Sequence, residues 1–481
     1  MTNDVTDPIT ALANSYASVT EEVDQTLEGL EGRVPEGLRG VLFRNGPGKV
    51  EVEGTPQLHP FDGDGMISRF AFTPEGVRYR NRYVRTREFL DERRTGRMRY
   101  RGFGTNVPGG LPSNFLRMRF KNAANTSVVR HGGRLLALWE AGMPHALDSE
   151  TLATFGRFDF GGALRTRLPL RLLTPERPFS AHPTVCPRTG ELFNFGIMLG
   201  PGPRLVSYRG APDGEELEVR THTLARTCFM HDFALTERFS VYFATPVHFD
   251  VLPALAGLQT PVESLRRAEE PTEILIEPRE GGPLRSFRAP SSFFLFHFFG
   301  AWEQDGAIHV LGCRYAEFEG EQTDARSPEA LRAADIARGE PTHWRIDLGA
   351  GTVEETFLEA PRMELPIIDP RRSTQRFRVA WGSCQPESDG PSIYNGLARL
   401  DLDEAASPGC AVRKRDFGAD LPGEPVFVPR TPEAPEGVGW LLSLVYRARE
   451  HRSELWILNA ETLETTARFA LPHNQARGVA F

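Results

Sequence analysis

Apolar residues fall in short runs along this chain, and turn residues bound nearly every run. Examples are GRLLALWEAG, ELFNFGIM, RFSVYFATPV, AIHVLGCRY, RFRVAWGSC and GWLLSLVY. Runs of this kind between Gly, Pro, Asp and Asn predict β-strands, and long helical periodicity is rare. One unit recurs: an apolar strand, an Asp/Asn/Gly turn, then a second strand rich in Thr, Leu, Val and Glu. It appears as HALDSETLATFGRFDF, LVSYRGAPDGEELEVRTHTL, HWRIDLGAGTVEETFLEAP, LARLDLDEAASPGCAVRKRDF and LWILNAETLETTARFALP. The copies are spaced by roughly 55–70 residues, with one gap of about twice that. A blade of such hairpins cannot bury both its faces alone, whereas a ring of blades can. The pattern therefore predicts an all-β chain closed as a β-propeller. No linker or low-complexity tract divides it, so residues 1–481 read as one domain.

Three segments break the strand pattern. SPEALRAADIARG, from Ser327, and VESLRRAEE, from Val262, predict solvated surface helices. LRTRLPLRLLTPERP, from Leu164, is basic and apolar together. It reads either as an ordinary surface loop or as a patch that dips into a membrane surface, with arginines on the phosphates.

Composition narrows the partners. The net charge is −8 and no block of like charge stands out, which argues against nucleic acid. Five scattered cysteines with no CxxC pair argue against a disulfide scaffold and for a reducing compartment. The first residues lack a basic region followed by an apolar one, and no apolar run is long enough to span a bilayer. A cytoplasmic protein is expected, with peripheral membrane contact if the Leu164 segment acts as a patch. Phenylalanine is plentiful, at 32 residues against nine Tyr and six Trp. That fits a greasy core or, more sharply, a tunnel for an apolar substrate.

Twelve histidines carry the candidate chemistry. His131, His145, His222, His248, His309, His343 and His451 have no partner motif nearby and read as surface or structural residues. His182 in FSAHPTV, His231 in CFMHDFAL and His297 in SSFFLFHFFG differ, because each ends or interrupts an apolar stretch. They are about 50 and 66 residues apart, too far for a local motif such as HExxH. On a propeller, successive blades would each present one side chain to the axis. Three imidazoles there would bind Fe(II), Zn(II) or Cu(II), and the alternative is three hydrogen-bonded core histidines. Zinc held with Cys186 or Cys228 is a further option, although neither forms a recognised zinc spacing.

Beyond these residue-level readings, the chain resembles the carotenoid cleavage oxygenases, which include apocarotenoid- and stilbene-cleaving enzymes and the retinoid isomerase of the pigment epithelium. The resemblance rests on LRGVLFRNGPGKVEVEG, HPFDGDGMISRFAF, ANTSVVRHGGRLLALWEAGMPHALDSETLATFG, the three histidine motifs, MELPIIDPR, GEPVFVPR and SELWILNAETLE. It implies a seven-bladed β-propeller with a helical and loop cap over an apolar tunnel. It also implies a non-haem Fe(II) held by four histidines, of which His182, His231 and His297 match the first three. Glu140, Glu364 and Glu424 match the family's carboxylates that bond the far nitrogens of three of the four rings. The implied reaction splits a conjugated C=C bond with dioxygen into two carbonyl fragments, with no side-chain general base. Stilbene cleavers tend to carry a lysine just before the first glutamate. Trp139 stands there in this chain, which favours a carotenoid or apocarotenoid polyene. The run Phe293–Phe299 is expected to line the tunnel or to pack in the core.

The resemblance breaks at the end of the chain. The family's fourth histidine lies in a Gly-Phe-His-Gly pattern after Leu-Pro-His. Here Leu471, Pro472 and His473 are followed by Gly478, Val479, Ala480 and Phe481, so Ala480 stands at the ligand position. Three outcomes follow: a working three-histidine site, a site completed by His473 or Glu424, or a non-catalytic carotenoid-binding propeller. A calcium-dependent propeller hydrolase would instead need clustered Asp, Asn and Glu ligands at the axis, and the aligned histidines speak against it.

Overall fold

The computed structural model describes residues 7–117, 120–166, 176–199, 202–318, 324, 326–334, 336, 338–403 and 409–475. Among the described residues, seven antiparallel sheets of four or more strands follow one another along the chain. Blade 1 holds strands Gly40–Lys49, Asp64–Thr73, Gly76–Tyr83 and Asp24–Thr26. Blade 2 holds Ser127–His131, Arg134–Leu138, His145–Leu147 and Thr154–Arg157. Blade 3 holds Thr184–Val185, Leu192–Met198, Arg204–Gly210 and Leu217–Thr223. Blade 4 holds Ala234–Leu235, Phe239–Ala244, Glu273–Pro278 and Arg285–Arg288. Blade 5 holds Phe294–Gln304, Ala307–Tyr315, Glu340–Asp347 and Thr352–Phe357. Blade 6 holds Met363–Ile368, Val379–Cys384, Gly396–Leu402 and Cys410–Asp416. Blade 7 holds Val426–Pro429, Gly439–Arg447, Arg452–Asn459 and Thr465–Ala470. The fold is the expected all-β, seven-bladed propeller.

The ring is stitched by its N-terminal strands. Asp24–Thr26 is the outermost strand of blade 1, and Glu28–Gly32 pairs with Thr465–Ala470 as the outermost strand of blade 7. Leu27 between them is buried with Phe70, Tyr79, Trp440 and Ile457, joining the two blades through apolar contact.

Apolar clusters fill each seam between blades. Phe243 and Ile276 of blade 4 meet Phe293, Leu295 and Trp344 of blade 5. Phe294, Phe299 and Trp302 of blade 5 meet Met363, Ala380 and Leu400 of blade 6. Both faces of a blade are therefore dry. This is why the strands read as continuous apolar runs rather than as alternating ones.

The double-length gap in the repeat is blade 4. Its outer hairpin, Glu273–Pro278 with Arg285–Arg288, is displaced by an insertion at residues 245–272. VESLRRAEE lies in that insertion and is not a helix. Val262–Ser264 forms one 3-10 turn, and Leu265–Arg267 then pairs with Val247–Phe249 as a strand. Pro261 opens the turn, while the Glu263 carboxylate accepts from the Thr260 amide and hydroxyl. The prediction at Ser327 corresponds to the helix Pro328–Ala333, whose Leu331 packs on the N-terminal helix Pro8–Ser15. Most of the Leu164 segment, residues 167–175, lies outside the described residues.

The cap over the ring is built mainly of loops, with short helices Arg87–Thr95, Leu111–Asn114 and Val251–Leu255. Two buried cations pin it. Lys121 Nζ lies 2.8 Å from both Asp64 and Glu92. Arg101 donates to the carbonyls of Arg117, Ala254 and Gln259 and to Asn106, tying three loops together.

Candidate metal centre and substrate cavity

His182, His231 and His297 come from three places in the fold and converge. His182 precedes the first strand of blade 3, and His231 precedes the first strand of blade 4. His297 sits within the first strand of blade 5. One ring nitrogen from each lies within 4.8 Å of the others. His182 and His231 bring their Nε2 atoms to 2.9 Å. Among the described residues this is the one cluster of three or more metal-type donors. Neither Cys186 nor Cys228 joins it, so zinc with a cysteine finds no support. Burial pushes the Cys228 thiol up to about 12, which keeps it protonated.

Local irregularities aim these side chains. The ladder between Phe294–Gln304 and Ala307–Tyr315 slips between Leu295 and Phe298, so Phe296 and His297 form a bulge. Bulges of this kind re-aim side chains beside active sites. The ladder of blade 6 slips likewise after Glu364, where Leu365 adopts a left-handed φ of 53°. That turn presents the Glu364 carboxylate to the axis, and the Leu365 amide donates to it at 2.6 Å.

Two of the three glutamates stand behind the imidazoles. His297 Nδ1 lies 2.6 Å from Glu364 Oε2, with both side chains buried. His231 Nδ1 lies 3.0 Å from Glu140 Oε2. Burial holds His297 well below the usual imidazole range and pushes Glu364 up to about 8. A neutral imidazole bonded through Nδ1 turns its Nε2 lone pair to the shared point, which is the donor set that a divalent first-row metal takes. The residues present therefore fit such an ion. The Glu424 carboxylate pairs with Arg44 of blade 1 at 2.7 Å. His473 is apart from the cluster. Its Nε2 faces Tyr79 Oη and Asn81 Nδ2 at 3.3 and 3.2 Å, in the seam between blades 7 and 1. Ala480 lies outside the described residues.

An apolar cavity of about 1280 Å³, counting its open mouth, reaches this centre. His231, Glu140 and Trp139 form part of its wall, as do Asn125 and Thr126. Its phenylalanines are Phe61, Phe103, Phe120, Phe195, Phe229 and Phe249. The run Phe293–Phe299 is not among them. Phe293 and Phe298 pack toward blade 4, Phe294 and Phe299 toward blade 6, and Phe296 lies edge-on to His231. The cavity phenylalanines come from scattered loops and strands, and sequence reading missed them as a group. A buried carboxylate sets two of them. Asp62 follows Phe61 and accepts the amides of Phe103 and Gly104, and the two rings stack 6.1 Å apart. Gly196 also lines the cavity, and a Cβ there would meet the Pro178 carbonyl oxygen at 2.1 Å.

Residues 16–479 match the family described as retinal pigment epithelial membrane protein. The chain belongs to the carotenoid cleavage oxygenase family. It is 34% identical over 464 residues to an apocarotenoid-15,15'-oxygenase of Synechocystis, across 94% of this chain and 91% of that protein. It is 32% identical over 469 residues to an isoeugenol monooxygenase of Pseudomonas putida, across 90% and 89%. A cobalt-substituted structure of the Synechocystis apocarotenoid oxygenase superposes with a TM-score of 0.88 at 32% identity, covering 97% of each chain. Membership makes this chain an enzyme of the carotenoid and apocarotenoid dioxygenase class.

Proposed function

We propose that this oxygenase cleaves a conjugated C=C bond of a carotenoid or apocarotenoid with dioxygen, giving two carbonyl products, at an Fe(II) held by His182, His231 and His297. The observation that carries this reading is the convergence of three imidazoles, two backed by carboxylates, at the wall of an apolar cavity. A bound Fe(II) would supply the activation of dioxygen. The chain's own residues bind and orient. Glu140 and Glu364 hold the protons on Nδ1 of His231 and His297, fixing the tautomer that offers Nε2. Phe61, Phe103, Phe229 and Trp139 exclude water and present flat apolar faces to a polyene. Among the described residues the cavity wall includes no lysine or tyrosine to grip a phenol, which favours a polyene over a compound such as isoeugenol.

Metal analysis and aerobic incubation with an apocarotenal test the reading. Iron near one equivalent and aldehyde fragments are the expected results. No cleavage after Fe(II) reconstitution would overturn this reading. Parallel incubation with isoeugenol sets the substrate class, and faster turnover of isoeugenol would reverse the assignment.

Peripheral membrane contact belongs to the same proposal. No helix among the described residues is long and apolar enough to cross a membrane. Leu111, Phe115, Leu116, Leu252 and Leu258 are nonetheless exposed on two adjoining cap segments, joined where the Leu116 amide donates to Leu255. These segments flank the cavity residues Phe120, Phe249 and Pro261. A polyene could then enter from lipid without crossing water. Leu252→Glu with Leu258→Glu should abolish co-sedimentation with phosphatidylcholine vesicles, and unchanged binding would remove this element.

A further inference from the structure

The histidines belong to three blades, so their spacing depends on how those blades are held at the axis. Glu140 and Glu364 orient individual rings. They do not tie the backbone of one histidine segment to that of the next. Two polar side chains without an assigned role do so. Asp232 directly follows His231. Its Oδ1 accepts the Phe233 amide at 2.7 Å, and its Oδ2 accepts the Phe298 amide at 3.1 Å. Phe298 directly follows His297, at the edge of the bulge that aims that ring. A bulge leaves ladder groups in need of other partners, and the Asp232 carboxylate supplies one. On the other side, Ser180 is buried. Its hydroxyl donates to the His231 carbonyl and accepts the His182 amide, both at 3.3 Å. The result is a continuous run of bonds from the His182 segment through the His231 segment to the His297 segment.

We propose that Asp232 is a positioning residue for the metal centre: it clamps the His297 bulge of blade 5 to the His231 segment of blade 4, with Ser180 as the weaker clamp toward His182. This rests on the metal reading of the three histidines. A ligand set spaced by backbone clamps is preorganised, so loss of the clamp should appear as weaker metal retention and altered ligand geometry.

The test uses full-length protein stripped of metal and loaded with Co(II), whose d–d absorption reports coordination geometry. Asp232→Asn keeps the size but turns an NH2 toward one of the two amides. Asp232→Ser keeps a local acceptor but cannot reach Phe298. Glu277→Gln is the control for damage to a buried carboxylate. Glu277 sits between blades 3 and 4 and binds Ser207, His222 and Tyr242. Both Asp232 variants should lose Co(II) to a chelator about 10–100-fold faster than wild type, with a shifted d–d spectrum. Ser180→Ala should change in the same direction by less. Glu277→Gln should melt earlier with wild-type spectrum and release. Wild-type spectrum and release in a folded Asp232 variant would overturn the clamp. So would failure of both Asp232 variants to fold, which would make the residue a determinant of the fold rather than of the centre. If wild type takes up no Co(II), the metal reading itself fails, an outcome distinct from the others.

Discussion

Two groups of wholly or partly buried histidines lie within this propeller, and they are arranged oppositely. On the flank of blade 5, His309 and His343 stack on Trp302 with interplanar angles of 9° and 22°. At the axis, His182, His231 and His297 meet one another at 59–77°. Rings that lie face to face point their nitrogens sideways, and His309 Nδ1 is spent on His343 Nε2 at 3.0 Å. Rings that meet edge-on can aim three lone pairs at one point. Both groups contain fully buried rings, so burial does not mark a ligand. Convergence from different blades, with a carboxylate behind the ring, does.

The largest test of this contrast removes one ring from each group. His297→Ala should abolish stoichiometric metal by elemental analysis, whereas His309→Phe should retain it. Loss of metal from both would erase the distinction. The carboxylates come next. Glu364→Gln should weaken metal binding about 10–100-fold in chelator competition. Glu140→Gln should cost less, because Glu140 is 25% exposed against 1% for Glu364 and water can replace it. Equal losses would mean that solvent access does not grade the two partners. On the flank, His343→Leu strands the His309 nitrogen and should lower stability by about 1–3 kcal/mol in denaturant melts. Metal content should not change.

Stability should also depend on pH. Burial lowers His309 to about 4, His343 to about 3 and His145 to about 4. Each is a base whose folded value lies below its unfolded value, about 6.5. Its contribution is complete above pH 6.5. Below that the unfolded chain takes up protons first, so stability falls as pH drops toward 4. Each histidine can cost at most about 1.4 kcal/mol per pH unit in this window. Melts at pH 7 and pH 5 should show the loss, and His343→Leu should reduce it. A slope untouched by that substitution would place the proton uptake elsewhere.

The blades were legible because a propeller strand is dry on both faces, which leaves a run of apolar residues bounded by turns. Blade 4 was not, because residues 245–272 separate its inner and outer hairpins and Arg285–Arg288 shows one buried position. VESLRRAEE misled for a related reason: Pro261 and the Thr260–Glu263 bonds commit it to a single turn before Leu265 enters a strand. His182, His231 and His297 stood out as polar residues ending or interrupting apolar stretches. Glu140 and Glu364 did not, since a glutamate in a turn looks solvated until a bulge turns it inward, and only family resemblance singled them out. The Phe293–Phe299 run read as tunnel wall or as core, and alternation sends its rings into two blade seams, the second of these. The phenylalanines that do face the cavity sit far apart in sequence, where no local pattern groups them. Asp232 and Ser180 carried a faint local sign, a polar residue one or two positions from a histidine in an apolar stretch.

The stitch of Asp24–Thr26 and Glu28–Gly32 across blades 1 and 7 has a consequence for biogenesis. Glu28–Gly32 leaves the ribosome early, but its partner Thr465–Ala470 is made more than four hundred residues later. Until then the flank of blade 1 that carries Phe70, Val77 and Tyr79 has no blade 7 to cover it. Such long-range closure is slow and leaves apolar surface open to aggregation. Pulse-labelled hydrogen exchange during refolding should find the 28–32 and 465–470 amides protected together and last. Early protection of either would show that the ring does not wait for its clasp.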